Sequence, residues 1–378
     1  MVGCSRPPVR VSNTWNPKTA ATYLDYRETW WKGWITASRD HDTYCVSCHT
    51  VVPYIVARPR LRSALGEVGP SSNELAIIDD VRARVRLWKS EEPYYQGGRY
   101  GEKTAESRGT EAVLNAFILA TYDAQTGRLS EDTRAALANM WALQKNAGER
   151  RGAWDWLQFD EEPWEAKESP YYGACLAAIA VGSAPGNYAS TPTIQSNLKL
   201  LRDYLTREAS SQSIINQIFL LWASTKVHNL LDSAKQSAVI RQVLARQQPD
   251  GGWRLASITW SWNHWTVRSL LQMWLREDGT PMQGKSDGLA TGLVTFVLEQ
   301  AGVSPQNAQL QRGLSWLTNN QTEQGFWPSY SVNKRRNPQS ETAKFMSDAA
   351  TAFAVLAITD RPTDRPTEKT SPRTASMH

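Results

Sequence analysis

The sequence predicts an all-α protein in which one set of helices is buried inside another. Three observations carry this. Segments 111–121, 171–181, 213–224, 289–301 and 349–358 are apolar on most sides and rich in Ala and Gly, as helices buried all round must be. Segments 131–145, 192–207, 233–247 and 306–319 carry Arg, Lys, Gln and Glu on one side only, the pattern of half-exposed helices. Few stretches alternate with the period of two that strands need. Buried and half-exposed helices alternating along the chain are what two concentric rings require.

In chain order, residues 1–14 are expected to form a flexible tether. Val2-Gly3-Cys4-Ser5 resembles the end of a bacterial lipoprotein cleavage site, which would make Cys4 a lipidated membrane anchor; the other reading is a free thiol in a frayed terminus. Residues 15–66 form a second unit. A helix over 20–34 bears a Trp30-Trp31-x-x-Trp34 face, a polar loop covers 38–42, and a helix over 51–65 is expected to be interrupted at Pro53 and Pro59. A connecting helix and loop fill 67–104, and the ringed body spans 105–359. Within it, Ser169-Pro170, Ser286-Asp287 and Ser347-Asp348 are expected to start helices. The tail, 360–378, repeats Arg-Pro-Thr and is polar and Pro-rich, the composition of a disordered segment.

Charge narrows the functional classes. Lys and Arg number 42 against 37 acids, a net +5 spread along 378 residues, and no basic cluster argues for nucleic acid. No apolar run is long enough to cross a bilayer, and the first ten residues lack the hydrophobic stretch of a secretion signal.

The most specific motif is Cys45-Val46-Ser47-Cys48-His49. C-x-x-C-H is the spacing that attaches haem through two thioethers, because two thiols three positions apart on a short turn reach two vinyl groups on one porphyrin edge. Cys45 and Cys48 are then the attachment points for haem c and His49 the proximal iron ligand. Zinc would need two more ligands, which Cys4 and Cys175 do not supply in a second pair. A thioredoxin-like reading needs a strand feeding the motif, and its flanks are polar and helical instead. His264, among Trp260, Trp262 and Trp265, or Met346 is the candidate sixth ligand. Bacterial haem c is attached outside the cytoplasmic membrane, so the expected location is the periplasm or the periplasmic side of the outer membrane, with an export signal upstream of this chain. About fifty residues are too few for a complete small cytochrome. The haem is thus expected to be covered partly by the larger body, with 15–66 capping one mouth of it.

That body contains a repeat. Arg312-Gly313-Leu314-Ser315-Trp316-Leu317 is followed by Gln321 and Gly325-Phe326-Trp327. Val243-Leu244 with Gln248 and Gly251-Gly252-Trp253 follows the same plan, as does Trp141 with Gln144 and Gly152-Ala153-Trp154 at a longer gap. These segments, covering roughly 105–360, resemble the Gln-Trp repeats of the squalene–hopene cyclase and prenyltransferase superfamily. The resemblance implies an α/α toroid in which each Gln ties the end of an outer helix to the following turn and each Trp stacks beside it. The superfamily's known chemistries are missing: there is no Asp-x-Asp-Asp acid, no Asp-x-Cys partner for Cys175, and no Cys-Gly-Glu-Gln thioester.

A second chemical candidate is Asp160-Glu161-Glu162-Pro163-Trp164-Glu165, whose Glu162 or Glu165 could present a general acid to a central cavity. Loop acids at a helix start are also favoured by the dipole alone. Seventeen Trp exceed what the repeat corners use, and the surplus could line a pocket for an apolar, isoprenoid or quinone-like ligand, shield the haem, or simply pack helices. The sequence reading is therefore an exported c-type haem protein in electron transfer or haem-dependent redox chemistry, with a redox partner protein. The alternatives are an isoprenoid cyclase or lyase using a cavity carboxylate, and a toroid that only binds lipid or protein.

Overall fold

The computed structural model describes residues 11–12, 14–97, 103–259, 285–334, 336–337 and 339–359. Among them are thirteen α-helices: α1 (Pro17–Gly33), α2 (Val51–Leu65), α3 (Ser72–Arg86), α4 (Thr104–Thr126), α5 (Glu131–Ala142), α6 (Ser169–Ser183), α7 (Gln195–Glu208), α8 (Ile214–Ser224), α9 (Ser233–Leu244), α10 (Leu255–Thr259), α11 (Gly288–Gln300), α12 (Ala308–Asn319) and α13 (Phe345–Thr359). Strands β1 (Val11–Ser12) and β2 (Gln321–Thr322) pair antiparallel. The chain is all-α, as the patterning predicts.

Burial sorts the helices into two kinds. α6, α8, α11 and α13 are buried along nearly their whole length, whereas α5, α7, α9 and α12 bury a narrow stripe. Packed neighbours run α2 on α4, α4 on α6, α6 on α8, α8 on α11, α11 on α13, and α13 back on α2. Outside them, α1 lies on α2 and α13, α3 and α5 on α4, α7 on α6, α9 on α8, and α12 on α11. The pair α1 and α2 thus sits within this succession, against α13 and α4, and residues 15–66 are packed among the helices they were expected to cap. Pairing of Val11–Ser12 with Gln321–Thr322 ties down the end of the segment read as a tether.

The repeat corners share one geometry. Indole Nε1 of Trp154, Trp253 and Trp327 donates to the carbonyl of Met140 (2.6 Å), Val243 (2.9 Å) and Leu317 (2.9 Å), each near the end of the preceding helix. These carbonyls lie in the last turn of each helix, where an N–H three residues on reaches them, so the buried indoles supply a second donor and fill the corner at once. Glutamine amides close the turns: Gln144 donates to Gly152 and Asn197, Gln247 to Gly251 and Gln309, and Gln321 to Gly325 and Asn16. The second acceptor in each pair belongs to α7, to α12 and to the N-cap of α1, so the third corner joins the end of the repeats to the beginning of the chain. Gln248, expected to be the middle staple, instead bonds Arg246 within its own turn. Gln247 precedes Trp253 by six positions, as Gln321 precedes Trp327, and that spacing sets the register. Gly325, at φ 92°, passes so close to α1 that a Cβ there would stand 2.2 Å from the Thr19 carbonyl oxygen.

Three local expectations need correction. α2 is continuous: Pro53 lies in its first turn, where no N–H is required, and Pro59 is accommodated inside it. At α6 the N-cap is Glu168, and Ser169 instead accepts the Ala166 N–H (2.8 Å) and donates to Pro163 O (3.0 Å), locking the loop before the helix. α13 begins at Phe345, after a 3-10 turn over Glu341–Lys344 capped by Ser340, so Ser347 and Asp348 lie within its first turn instead of preceding it. Asp287 does cap α11, accepting the Leu289 and Ala290 N–H groups at 3.0 Å.

Candidate functional site

The C-x-x-C-H pentad lies on the turn between α1 and α2, and its backbone is pinned on both flanks. Cys45 N–H donates to Ala37 O (2.8 Å), Tyr44 N–H to Asp80 Oδ1 (2.9 Å), and Trp31 Nε1 to Cys45 O (2.7 Å). Ser47 Oγ accepts the N–H groups of Thr50 (3.2 Å) and Val51 (3.1 Å), which starts α2 directly after His49. Cys45, Cys48 and His49 are buried, with 5%, 1% and 6% of their surface exposed.

The His49 ring is fixed in plane and in protonation. Phe345 stacks on its face at 3.7 Å and 20°, Trp31 meets it edge-on at 5.1 Å, and Trp164 stands 6.0 Å away. Its Nδ1 lies 2.9 Å from Thr50 Oγ1, and that hydroxyl donates its own proton to Asp348 Oδ2 at 2.8 Å. A hydroxyl has one proton, so the Thr50 oxygen must accept from Nδ1–H, which leaves Nε2 with a lone pair. Burial first, then the charges of Arg336 and Arg27, hold the imidazole well below its ordinary range, in the neutral form a metal ligand needs. The other Asp348 oxygen, Oδ1, accepts from Arg27 Nε (2.7 Å) and Tyr23 OH (2.8 Å).

The acidic loop and the pentad, read from sequence as rivals, occupy one site. Trp164 abuts His49, and the Glu165 charge acts on both motif thiols. Burial, opposed by Arg39 and reinforced by Glu165, pushes Cys45 up to about 11. Cys48 is raised well above its ordinary value by burial, then by Glu165, Cys45 and Glu161. Glu165 is half-buried by surface area; desolvation first and Glu161 second raise its carboxyl to about 8, against the opposing charges of Arg336 and Lys334. Nearby, Arg336 pairs with Glu161 at 2.5 Å and lies over the Phe345 ring, while Tyr95 OH stands 3.9 Å from Cys45 Sγ. Glu162 is anchored through its backbone N–H to Asn333 Oδ1 at 3.2 Å, and Glu165, not Glu162, is the acid electrostatically coupled to the thiols.

Other sequence candidates fall elsewhere. Met346 is fully buried on α13, one position past Phe345 and therefore turned about 100° from the residue that touches His49. His264 and Cys4 lie outside the described residues. Cys175 is buried on α6 with its thiol raised by desolvation. Asp40, His41 and Glu91 bring three potential ligand atoms within 4.8 Å, but Arg84 already bonds Glu91 at 2.7 Å there. Toward the middle of the helices, a cavity of about 10 Å³ between α2, α4, α6, α8 and α13 is room for a single water, far below the several hundred Å³ of a ligand pocket.

Sequence reasoning missed Thr50, Asp348, Phe345 and Arg336. Asp348 carried a signal: an acid inside an otherwise apolar, fully buried helix must have a partner. Phe345 and Arg336 carried none, because the contacts cross nearly three hundred residues of chain.

No protein-family model matches this chain, and no curated protein matches its sequence.

Proposed function

We propose that this protein is a c-type haem protein on an α/α toroid, carrying haem at Cys45 and Cys48 with His49 as iron ligand, and acting outside the cytoplasmic membrane in electron transfer or haem-dependent redox chemistry. One observation carries the reading: within a C-x-x-C-H motif, the imidazole is neutral, its Nδ1 is committed to Thr50, and its Nε2 is left with a lone pair. The toroid reading is supported by the succession of buried helices that returns to its start and by three Gln-Trp corners of one geometry.

The donor set fits the group. Two reduced thiols and an imidazole with a lone pair are what covalent attachment and axial ligation require. Haem, when bound, supplies one-electron chemistry at iron. The chain's part is to hold the imidazole, through Thr50 and the Phe345 stack, and to surround it with Trp31 and Trp164, which keep water away. Thiols exposed by only 5% and 1% are out of reach in the folded chain, so attachment must precede closure of the pentad. The test is export with the haem-attachment machinery followed by a haem-stained denaturing gel. Stain is expected in the native chain and not in Cys45→Ala/Cys48→Ala; a native chain without stain refutes the proposal.

A second reading rests on Glu165, whose carboxyl, raised to about 8, is protonated at neutral pH beside the motif thiols, the state of a general acid. It requires product from haem-free protein given an isoprenoid substrate, with that activity lost in Glu165→Gln.

A further inference from the structure

We infer that Asp348, acting through the Thr50 hydroxyl, is the positioning residue that sets the tautomer of His49 and the electron density it offers to iron; the iron part rests on the haem reading above, the tautomer part does not. Four bonds make the case. The Asp348 carboxylate is 1% exposed, and Arg27 Nε and Tyr23 OH occupy one of its oxygens at 2.7 and 2.8 Å. That fixes the carboxylate and aims its other oxygen at Thr50, which donates at 2.8 Å. The threonine hydroxyl, having given its proton to the acid, turns its lone pair to His49 Nδ1 at 2.9 Å. A hydroxyl polarised by a buried carboxylate draws on the Nδ1 proton more strongly than a free one, which makes Nε2 a better donor. The relay links three elements: Asp348 on α13, Thr50 at the start of α2, and Tyr23 and Arg27 on α1. It therefore forms only when the two ends of the chain are packed together.

Greater donation from the axial imidazole favours ferric over ferrous iron, so the relay is expected to lower the haem potential. Removing the hydroxyl cuts it at its middle while leaving the Arg27–Asp348 pair whole, which makes Thr50→Val the variant of choice; Thr50→Ser restores the hydroxyl. Asp348→Asn is less suitable, since it strips the partner from the buried Arg27.

The experiment has two arms. In haem-free protein, ¹⁵N-labelled at His and observed by NMR, His49 is expected as the Nδ1–H tautomer in the native chain and in Thr50→Ser, and to gain the Nε2–H form in Thr50→Val. In haem-bearing protein, redox titration is expected to give a more positive potential for Thr50→Val than for the native chain, with Thr50→Ser near native. An unchanged tautomer in Thr50→Val, or a Thr50→Ser chain that behaves as Thr50→Val does, overturns the relay. Altered tautomer with unaltered potential overturns its role toward iron. A native chain that never acquires covalent haem sinks the haem reading, and the NMR arm still decides the relay.

Discussion

Replacing Glu165 by Gln should lessen the fall in stability that the native protein undergoes as the pH rises from about 5 to about 8.5. The sign follows from the proton balance. In the unfolded chain Glu165 releases its proton near 4.5, whereas in the fold, desolvated and facing Glu161, it holds the proton until about 8. Between those values the unfolded state binds fewer protons, so stability declines with pH; the contribution is complete below about 4.5 and lost as pH passes 8. A separation of about 3.5 pH units at 1.36 kcal/mol each sets a ceiling of about 5 kcal/mol. Part of the side chain is solvent-accessible, and discounting for screening leaves about 2 kcal/mol. Urea unfolding of the native chain and Glu165→Gln at both pH values gives the double difference. Glu28, raised to about 8, and Asp80, raised to about 7, tilt both proteins in the same direction and cancel. Stabilities that fall in parallel for the two proteins would show that Glu165 is ionised in the fold and would remove the basis of its reading as an acid.

Other consequences are separable. Gly325→Ala should cost roughly 3 kcal/mol or more, since the Cβ would overlap the Thr19 carbonyl at 2.2 Å, whereas Gly148→Ala, with open space at φ 75°, should cost about 1 kcal/mol from backbone strain alone; chemical denaturation compares them. Gln247→Ala should lower stability by about 1–3 kcal/mol because the Gly251 and Gln309 carbonyls lose their donor, and Gln248→Ala should change it by under about 1 kcal/mol. In haem-free native protein Cys45, Cys48 and Cys175 should resist a thiol reagent near neutral pH and react on unfolding, since all three are buried and their thiols raised; fast labelling of the native fold would contradict the packing.

Much of the fold was legible because its signals are local. Buried helices such as α6 and α11 announce themselves by apolar character on every side, and the corner at 321–327 repeats a fixed spacing. Errors arose where one residue type could serve two roles. Adjacent Gln247 and Gln248 are indistinguishable without the register that Trp253 imposes, and Asp348, which reads as a helix cap, turns out to be a buried partner of Arg27 over three hundred residues away. The same limit separated the pentad from the acidic loop. Cys45, Cys48 and His49 were legible as a motif and Glu165 as a loop acid, but their meeting through Trp164 depends on how α2 and α6 approach, which no periodicity encodes.

The central claim concerns chemistry at Cys45 and Cys48, and intact-mass spectrometry tests it most directly. The chain, exported together with haem-attachment machinery, is unfolded in acid and weighed. A mass equal to the polypeptide plus one haem, returning to the polypeptide alone in Cys45→Ala/Cys48→Ala, is the predicted result. A native chain that weighs only its polypeptide under those conditions would contradict the account and leave Glu165 as the centre of the site's chemistry.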